Sequence, residues 1–341
     1  MGLRANTAEN AKLNYEAGQS KVANAAMTDS GDHTQFTSSP TSGFWSDRAG
    51  YEPVVRPNGL ITGGIATPDN ALVNNVVDIT ALTCYLAGVE TSVGAGSLTA
   101  SRAVNPATHR ITSLTVNNAG TLVAVAGTEG VAFSETRAAA GGPPLIAVDS
   151  IEIGQVRLSS FTDAVVDEDE IFQVPGTHQE RYDYPLWETN YGPGEGGDPP
   201  GGSITFQAAL PLTHTGPVAK AVYCEYYEPV FAELRPVSDV VPPDESHSVS
   251  STQVYGGTIA ARSSSIGQGS FTAYLQNGVN DPVVKLKDEV LWFKFYPDRY
   301  KTLYIAFQGK LGVSRTFPAG GASMTASCTV SPEEKSVELE S

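Results

Sequence analysis

The chain has 341 residues, a formal net charge of −16 and only 17% charged residues, together with 34 glycines and 22 prolines. Lys and Arg must replace counterions on a nucleic acid, so this charge argues against a free-standing DNA- or RNA-binding protein. No apolar run approaches the roughly 20 residues of a membrane span. The length suits two domains, and a loop-rich, weakly charged composition favours an all-β chain.

Residues 1–57 are predicted to form an N-terminal arm. The first part, rich in Ala and Asn, predicts a helix of modest amphipathicity that is interrupted at Gly18. The second part is polar and carries aromatic residues without periodicity, namely Phe36, Phe44, Trp45 and Tyr51. Such residues either dock onto another surface or pack on the chain's own domain, and the sequence leaves both interpretations open.

Residues 58–160 are predicted to form a β-domain. In "NNVVDITALTCYLAGVETSV" the alternation predicts one shared face, made of Val77, Ile79, Ala81, Thr83 and Tyr85. The stretch 111–126 predicts a hairpin whose turn is Asn-Asn-Ala-Gly at 117–120. A further strand is expected at 151–158.

Residues 161–202 are predicted to be an acidic, Gly/Pro-rich linker. Between Asp149 and Asp198 the sequence has 12 acidic residues and two arginines, a net charge of −10. The run Asp167, Glu168, Asp169, Glu170 lacks the ligand spacing and the central glycine of an EF-hand, so it is interpreted as a solvated face. The segment ends in the flexible composition "NYGPGEGGDPPGGS".

Residues 203–331 are predicted to form a second β-domain of seven strands, followed by a polar tail at 332–341. In "EVLWFKFYP", Leu291, Phe293 and Phe295 alternate with Trp292, Lys294 and Tyr296. The second set is unusual for a solvated face and predicts a subunit interface that includes Trp45, Trp292 and Tyr296, since aromatic anchors concentrate binding energy. A weak echo between residues 202–229 and 269–297 suggests either a duplicated sheet unit or a chance similarity.

No motif in the chain predicts catalysis. Cys84, Cys224 and Cys328 form no CxxC pair, and the five histidines fall outside the zinc-enzyme patterns. The sequence also lacks a GxSxG elbow, a Walker loop and a dinucleotide fingerprint. We therefore expect a protein that is not an enzyme and that has no metal or other cofactor.

Three stretches of the C-terminal region resemble the major tail tube proteins of long-tailed, non-contractile bacteriophages. They are "GQGSFTAYLQNG" at 267–278, "LWFKFYPD" at 291–298 and "LGVSRTFPAGGASMTASCTVSPE" at 311–333. The resemblance covers about the C-terminal 130 residues. It implies a β-sandwich or barrel-like protomer that assembles into stacked rings, usually of six subunits, around a DNA channel.

The resemblance also implies the setting of the protein. The partners would be other copies of this chain and the tail terminator, tape measure and baseplate proteins, with assembly in the bacterial cytoplasm and a final place in the virion tail. Phage DNA would pass through an acidic lumen without specific binding. The candidate lumen residues are Asp167, Glu168, Asp169, Glu170, Asp281 and Asp288. Residues 58–160 would then be an external decoration domain.

Two alternatives remain open at this point. One is another phage structural protein, such as a distal-tail, fibre or capsid-decoration subunit. The other is a carbohydrate-binding β-sandwich module for adhesion, in which Trp45, Trp187 and Trp292 would be sugar platforms and "YDYPLWETNYGPG" at 182–194 the favoured position.

Overall fold

The structure is a computed structural model that describes residues 10–38, 43–191, 202–216, 218–255, 257–277 and 280–340. Strands account for 52% of the structure and helices for 3%, which confirms the predicted all-β fold. The helical elements with described bounds are a single-turn helix, α1 (Pro282–Lys285), and a 3-10 turn at Glu168–Glu170. No helix among the described residues is both long and apolar enough to span a membrane.

The strands are numbered along the chain. They are β1 (Lys12–Ala26), β2 (Thr28–Asp29), β3 (Gln35–Thr37), β4 (Val54–Pro57), β5 (Gly59–Gly63), β6 (Ala66–Pro68), β7 (Val76–Ile79), β8 (Leu82–Leu86), β9 (Val89–Val93), β10 (Gly96–Thr99), β11 (Arg110–Val116), β12 (Leu122–Ala126), β13 (Ile151–Leu158), β14 (Ile171–Phe172), β15 (Trp187–Asn190), β16 (Ser203–Phe206), β17 (Val222–Leu234), β18 (Val237–Val241), β19 (Glu245–Val254), β20 (Gly257–Ile266), β21 (Gly269–Tyr274), β22 (Val290–Tyr296), β23 (Leu303–Thr316), β24 (Thr325–Ser331) and β25 (Val337–Glu340).

A nine-stranded antiparallel sheet organises both ends of the chain. Its strand order is β18-β21-β24-β23-β22-β1-β17-β4, and β25 pairs with the first part of β23. The residues predicted to be a polar tail therefore contribute an edge strand. The sheet is curled, as shown by the side chains of β1 and β18, which share one core with those of β21 to β24. Val283 and Leu286, on and beside α1, belong to the same core.

The predicted N-terminal helix is wrong, because residues 12–26 form β1 in the interior of this sheet. Leu13 pairs with Leu234 of β17 on one edge and with Phe295 of β22 on the other. Leu13 and Tyr15 are buried in the sheet's core, which is the period-two pattern of a strand. Pairing along both edges outweighs the helix propensity of the Ala-rich sequence.

A second unit lies between β4 and β17 in the chain. Three sheets, with strand orders β5-β8-β9, β10-β7-β6 and β12-β11-β13-β14, pack around one core. The predicted hairpin is confirmed as β11 and β12, and the strand predicted at 151–158 is β13. The single face predicted from Val77 to Tyr85 is wrong beyond Ile79, because the chain changes sheet there and Leu82, Cys84 and Leu86 become the buried set.

Residues 161–191 are structured, contrary to the linker predicted at 161–202. They contribute β14 and β15, and Val166, His178 and Glu180 within them are buried. Strand β15 joins β16, β3 and β2 in a separate four-stranded sheet. Residues 192–201, in the rest of the predicted linker, lie outside the described residues.

The two stretches of the sequence echo occupy different places in the fold. Strand β16, in the first stretch, belongs to the four-stranded sheet, whereas its counterpart β21 belongs to the nine-stranded sheet. The echo therefore does not correspond to a duplicated sheet unit. The stretch "SSTQVYGGTIAARSS", predicted as one strand, instead contains the turn of a hairpin formed by β19 and β20.

Candidate functional site

The most unusual element of the surface is the hairpin of β19 and β20. The two strands are paired through ten residue pairs, from Glu245 with Ile266 to Val254 with Gly257. Among the described residues, neither strand pairs with any other strand. At about 3.3 Å per residue the hairpin extends roughly 33 Å. It therefore projects as a two-stranded ribbon whose two outer edges both carry unpaired backbone groups.

On one face of the hairpin, two neighbouring cross-strand pairs near its base consist of small hydroxyl side chains. The hydroxyls of Ser246 and Ser265 lie 3.1 Å apart, and those of Ser248 and Ser263 lie 2.7 Å apart. Hydrogen bonds of this kind support pairing but add little hydrophobic burial. Near its base, this face carries small side chains that allow close approach of another chain.

The opposite face and the tip carry the larger side chains. Val249 is 66% exposed and pairs with Arg262 across the hairpin, beside His247. Tyr255, in the turn, is fully exposed. A tyrosine at the end of a projecting ribbon is a residue type that protein interfaces favour.

Trp45 and Trp292 do not lie at an exposed interface, which corrects the sequence prediction. Both rings are buried, Trp45 completely and Trp292 with 4% of its surface exposed. Residues 43–46 cover the outer face of β22, where the Phe44 ring centroid lies 4.5 Å from that of Trp292 and the Trp292 indole N–H donates to the Trp45 carbonyl over 2.8 Å. The Trp45 indole donates to Ser38 Oγ. The aromatic residues thus pack on the chain's own sheet.

Tyr296 and Lys294 are also covered by the chain itself. The Tyr296 ring lies 5.2 Å from that of Tyr304 and carries Lys12 Nζ at 4.1 Å. Lys294 Nζ lies within 5.0 Å of three ring centroids, those of Phe44, Phe231 and Tyr304. Burial lowers the pKa of Lys294 to about 8. The alternation predicted for β22 is correct, but its second face is an interior aromatic layer.

A buried carboxylate, which the sequence analysis did not identify, links this aromatic layer to strand β1. Glu16 of β1 accepts hydrogen bonds from the Ser46 hydroxyl, from Gln19 Nε2 at 2.8 Å and from the Trp292 backbone N–H at 3.2 Å. Burial raises its pKa, although these donors lower it. Glu16 therefore ties β1, β22 and the segment 43–46 together.

The predicted lumen carboxylates are not one cluster of equivalent groups. Asp167, Glu168 and Asp169 are exposed on the second unit, and Glu170 is half-buried. Asp281 is buried, and its carboxylate accepts the backbone N–H groups of Gln276 and Asn277 at 3.2 and 2.8 Å. Asp281 is thus turned inward to hold the turn before α1, which argues against a place on a lumen wall.

Asp288 is exposed, with its carboxylate 4.0 Å from Lys287 Nζ. The lumen role of Asp167, Glu168, Asp169, Glu170 and Asp288 stays a prediction.

Two further sequence hypotheses concern thiols and sugar platforms. The three cysteines are buried free thiols, and within the described ranges no group of three His, Cys, Asp or Glu could hold a metal ion. Of the three tryptophans considered as sugar platforms, only Trp187 reaches the surface. It is half-buried, with its ring edge-on to Phe206 at 5.8 Å.

Comparisons with known proteins add no family to this description. A scan of the chain against protein-family models and a search of curated protein sequences both returned no match.

Proposed function

We propose that this chain is a structural subunit that self-assembles into stacked rings and forms the tail tube of a long-tailed bacteriophage. The observation that carries the proposal is the β19–β20 hairpin, a ribbon of roughly 33 Å with no partner strand among the described residues. A two-stranded hairpin is marginally stable in water by itself. A partner surface that accepts the ribbon accounts for its length and exposure.

The composition of the hairpin supports a second copy of this chain as that partner. Over residues 245–266, Glu245 and Arg262 are the ionised side chains, beside His247, while the whole chain carries −16. A nearly neutral ribbon can approach an acidic copy without the repulsion that acidic surfaces would impose on one another. Its free backbone groups can extend a neighbour's sheet by strand addition.

The nine-stranded sheet supports the same assembly. Its path begins at β18 and ends at β4, and among the described residues neither of these strands pairs with another strand along its outer edge. Joining such edges between subunits in a closed ring removes them from solvent and prevents irregular aggregation. Head-to-tail stacking of identical rings then gives a filament. The acidic charge would let DNA pass along the channel without binding to its wall.

Negative-stain electron microscopy of the purified full chain, with light scattering over a concentration series, tests the proposal. We expect hollow tubes of uniform width. A variant in which residues 245–266 are replaced by a short Gly-Ser turn should keep the circular dichroism of the parent and form no tubes. Tubes of unchanged width from that variant would contradict the role of the hairpin. Small closed particles from the parent at every concentration would instead favour a distal-tail, fibre or decoration subunit.

A matched pair of substitutions locates the contact more finely. Tyr255 lies at the hairpin tip, whereas Tyr300 is 72% exposed on the body of the chain. Tyr255→Ser should raise the concentration needed for assembly at least tenfold, since exposed aromatic residues at interfaces often contribute about 2 kcal/mol. Tyr300→Ser serves as the control for the loss of an exposed ring. Equal effects of the two substitutions would argue against a specific contact at the tip.

A further inference from the structure

A cavity of about 300 Å³ lies where the second unit meets the segment that returns to the nine-stranded sheet. Its wall is formed by side chains and backbone from the segments 176–185 and 208–213, together with Arg137, Glu152 of β13 and Lys220 before β17. This volume is at the lower end of the range for small-molecule sites, which suits one or two small rings. The cavity is separate from the hairpin and from the aromatic layer.

Two buried groups of opposite charge face this cavity with hydrogen-bonding capacity left over. Lys220 Nζ donates to the backbone carbonyls of Arg181 and Tyr184, and an ammonium group has a third hydrogen to donate. Glu180 accepts the Glu152 backbone N–H at 3.2 Å on one carboxylate oxygen. Within the described part of the chain, its other oxygen accepts no hydrogen bond, and no carboxylate oxygen lies within 4.0 Å of Lys220 Nζ. Burial lowers the pKa of Lys220 to about 8, although the charges of Glu180 and Asp183 raise it. Lys220 and Glu180 are only 6% and 8% exposed.

The other charged groups at the cavity are paired with one another. Arg137 forms an ion pair with the completely buried Glu152. Arg181 binds Asp183 through two hydrogen bonds of 2.9 and 3.0 Å. The charges left for a ligand are therefore one ammonium and one carboxylate, which favours a ligand without net charge.

An aromatic ring with one face open completes the wall. Tyr184 is 50% exposed and borders the cavity. Its ring lies against Gly176, where a Cβ would be 2.2 Å from Tyr184 Cε1 and where φ is +77°. The glycine thus allows the ring to lie directly on the backbone, which fixes its orientation. The exposed part of the ring offers an apolar surface for a flat ligand.

We propose that this cavity binds a saccharide unit without net charge. A sugar hydroxyl can donate to the free oxygen of Glu180 and accept from Lys220, so one hydroxyl, or two on adjacent carbons, satisfies both groups. The C–H face of a pyranose ring packs on the open surface of Tyr184, and the ring carries no net charge. A ligand with only a carboxylate or only an amine would satisfy one buried group and place a like charge near the other. A free amino acid carries both groups, which makes it the competing class for the test.

The inference does not depend on assembly into tubes. It assigns a second activity, glycan binding, to the junction beside the second unit. A subunit that repeats along a surface would present many such cavities, so even weak binding at each would add up through multivalency.

Saturation-transfer NMR on the full chain tests the site. The probes are a panel of neutral hexoses, 6-deoxyhexoses, N-acetylhexosamines and pentoses, with free amino acids as the competing class. We expect transfer to the ring protons of at least one sugar, and an affinity at least tenfold weaker in Tyr184→Ala. The control Tyr300→Ala should bind as the parent does. Circular dichroism establishes that each variant is folded.

A second variant keeps the test decisive if Tyr184→Ala does not fold. Glu180→Gln preserves the shape of the side chain and removes the acceptor charge, and we expect it to weaken sugar binding by a similar factor. The proposal is overturned if no sugar in the panel receives transfer from the folded parent chain. Sugar binding that is unchanged in the variants would equally reject this cavity as the site. Binding of amino acids in preference to sugars would reject the saccharide.

Discussion

Neutralising Asp47 should stabilise the chain in a pH-dependent way. Asp47 lies beside the buried segment 43–46, and burial raises the pKa of its carboxyl to about 6, with additional repulsion from Glu333, Glu52 and Glu16. Within the described residues, no hydrogen bond supports the carboxylate. The ionised form is therefore disfavoured in the folded chain, and the substitution Asp47→Asn removes it while it keeps the size of the side chain.

The sign and the size of the effect follow from linkage. The folded-state pKa of about 6 lies above the ordinary value of 3.8. The contribution of Asp47 to the free energy of unfolding is therefore most favourable below about pH 4, and it is lost as the pH rises through about 6. A shift of about two units corresponds to roughly 3 kcal/mol at about 1.4 kcal/mol per unit. Solvent screening of this partly exposed group reduces the figure to about 1–2 kcal/mol. Asp47→Asn should gain this amount at pH 8 and almost nothing at pH 4.

Urea denaturation followed by tryptophan fluorescence measures the effect, because Trp45 and Trp292 are buried in two neighbouring core clusters near Asp47. The free energy of unfolding is compared between parent and variant at several pH values from 4 to 8, so that titrating groups distant from Asp47 cancel. Asp169→Asn, which neutralises an exposed carboxylate, is the matched control and should change the free energy by less than about 0.5 kcal/mol. A gain from Asp47→Asn that is absent, or that is equal at pH 4 and pH 8, would refute the reasoning.

Two other predictions concern the interior. Gly202→Ala should destabilise the chain by about 2 kcal/mol or more, since its Cβ would lie 1.8 Å from the indole of Trp45, and thermal unfolding against the control Gly257→Ala, where that Cβ meets open space, measures it. The three buried thiols should resist iodoacetamide at pH 8 in the folded chain and react in guanidinium, because burial raises their pKa to about 11 for Cys84 and to about 12 for Cys224 and Cys328. Mass spectrometry counts the modified residues, and rapid labelling of the folded chain would contradict their burial.

The fold class and many strands could be predicted because alternation is a local signal. The face of Leu291 and Phe293 on β22 was recognisable from period two alone. The segment that covers the opposite face could not be predicted, because Trp292 contacts Trp45, which lies 247 residues away in the sequence. A single sequence shows that an aromatic face needs cover and leaves open whether the same chain or another subunit provides it.

The helix predicted at the position of β1 is the largest error, and it too arises because the contacts that decide the structure come from distant parts of the sequence. The Ala-rich sequence of β1 predicts a helix locally, yet β17 and β22 supply partners for both of its edges. Buried charges such as Glu16 and Lys220 could not be predicted either, since the backbone groups that they bind come from distant segments. The strength of a local propensity is a fraction of a kcal/mol per residue, and long-range pairing exceeds it.

In the hairpin of β19 and β20, interactions within the chain do not offset the conformational entropy lost when the strands form. It fixes the backbone of about 20 residues, at a cost of about 1–2 kcal/mol each, and nearly all of its described side chains are exposed, Val249 among them. Cross-strand hydroxyl pairs return at most about 1 kcal/mol apiece. The cost of ordering a ribbon of this length is therefore offset only if a second surface binds to the ribbon and buries its exposed side chains. That imbalance is a physical argument for assembly that does not depend on resemblance to any family.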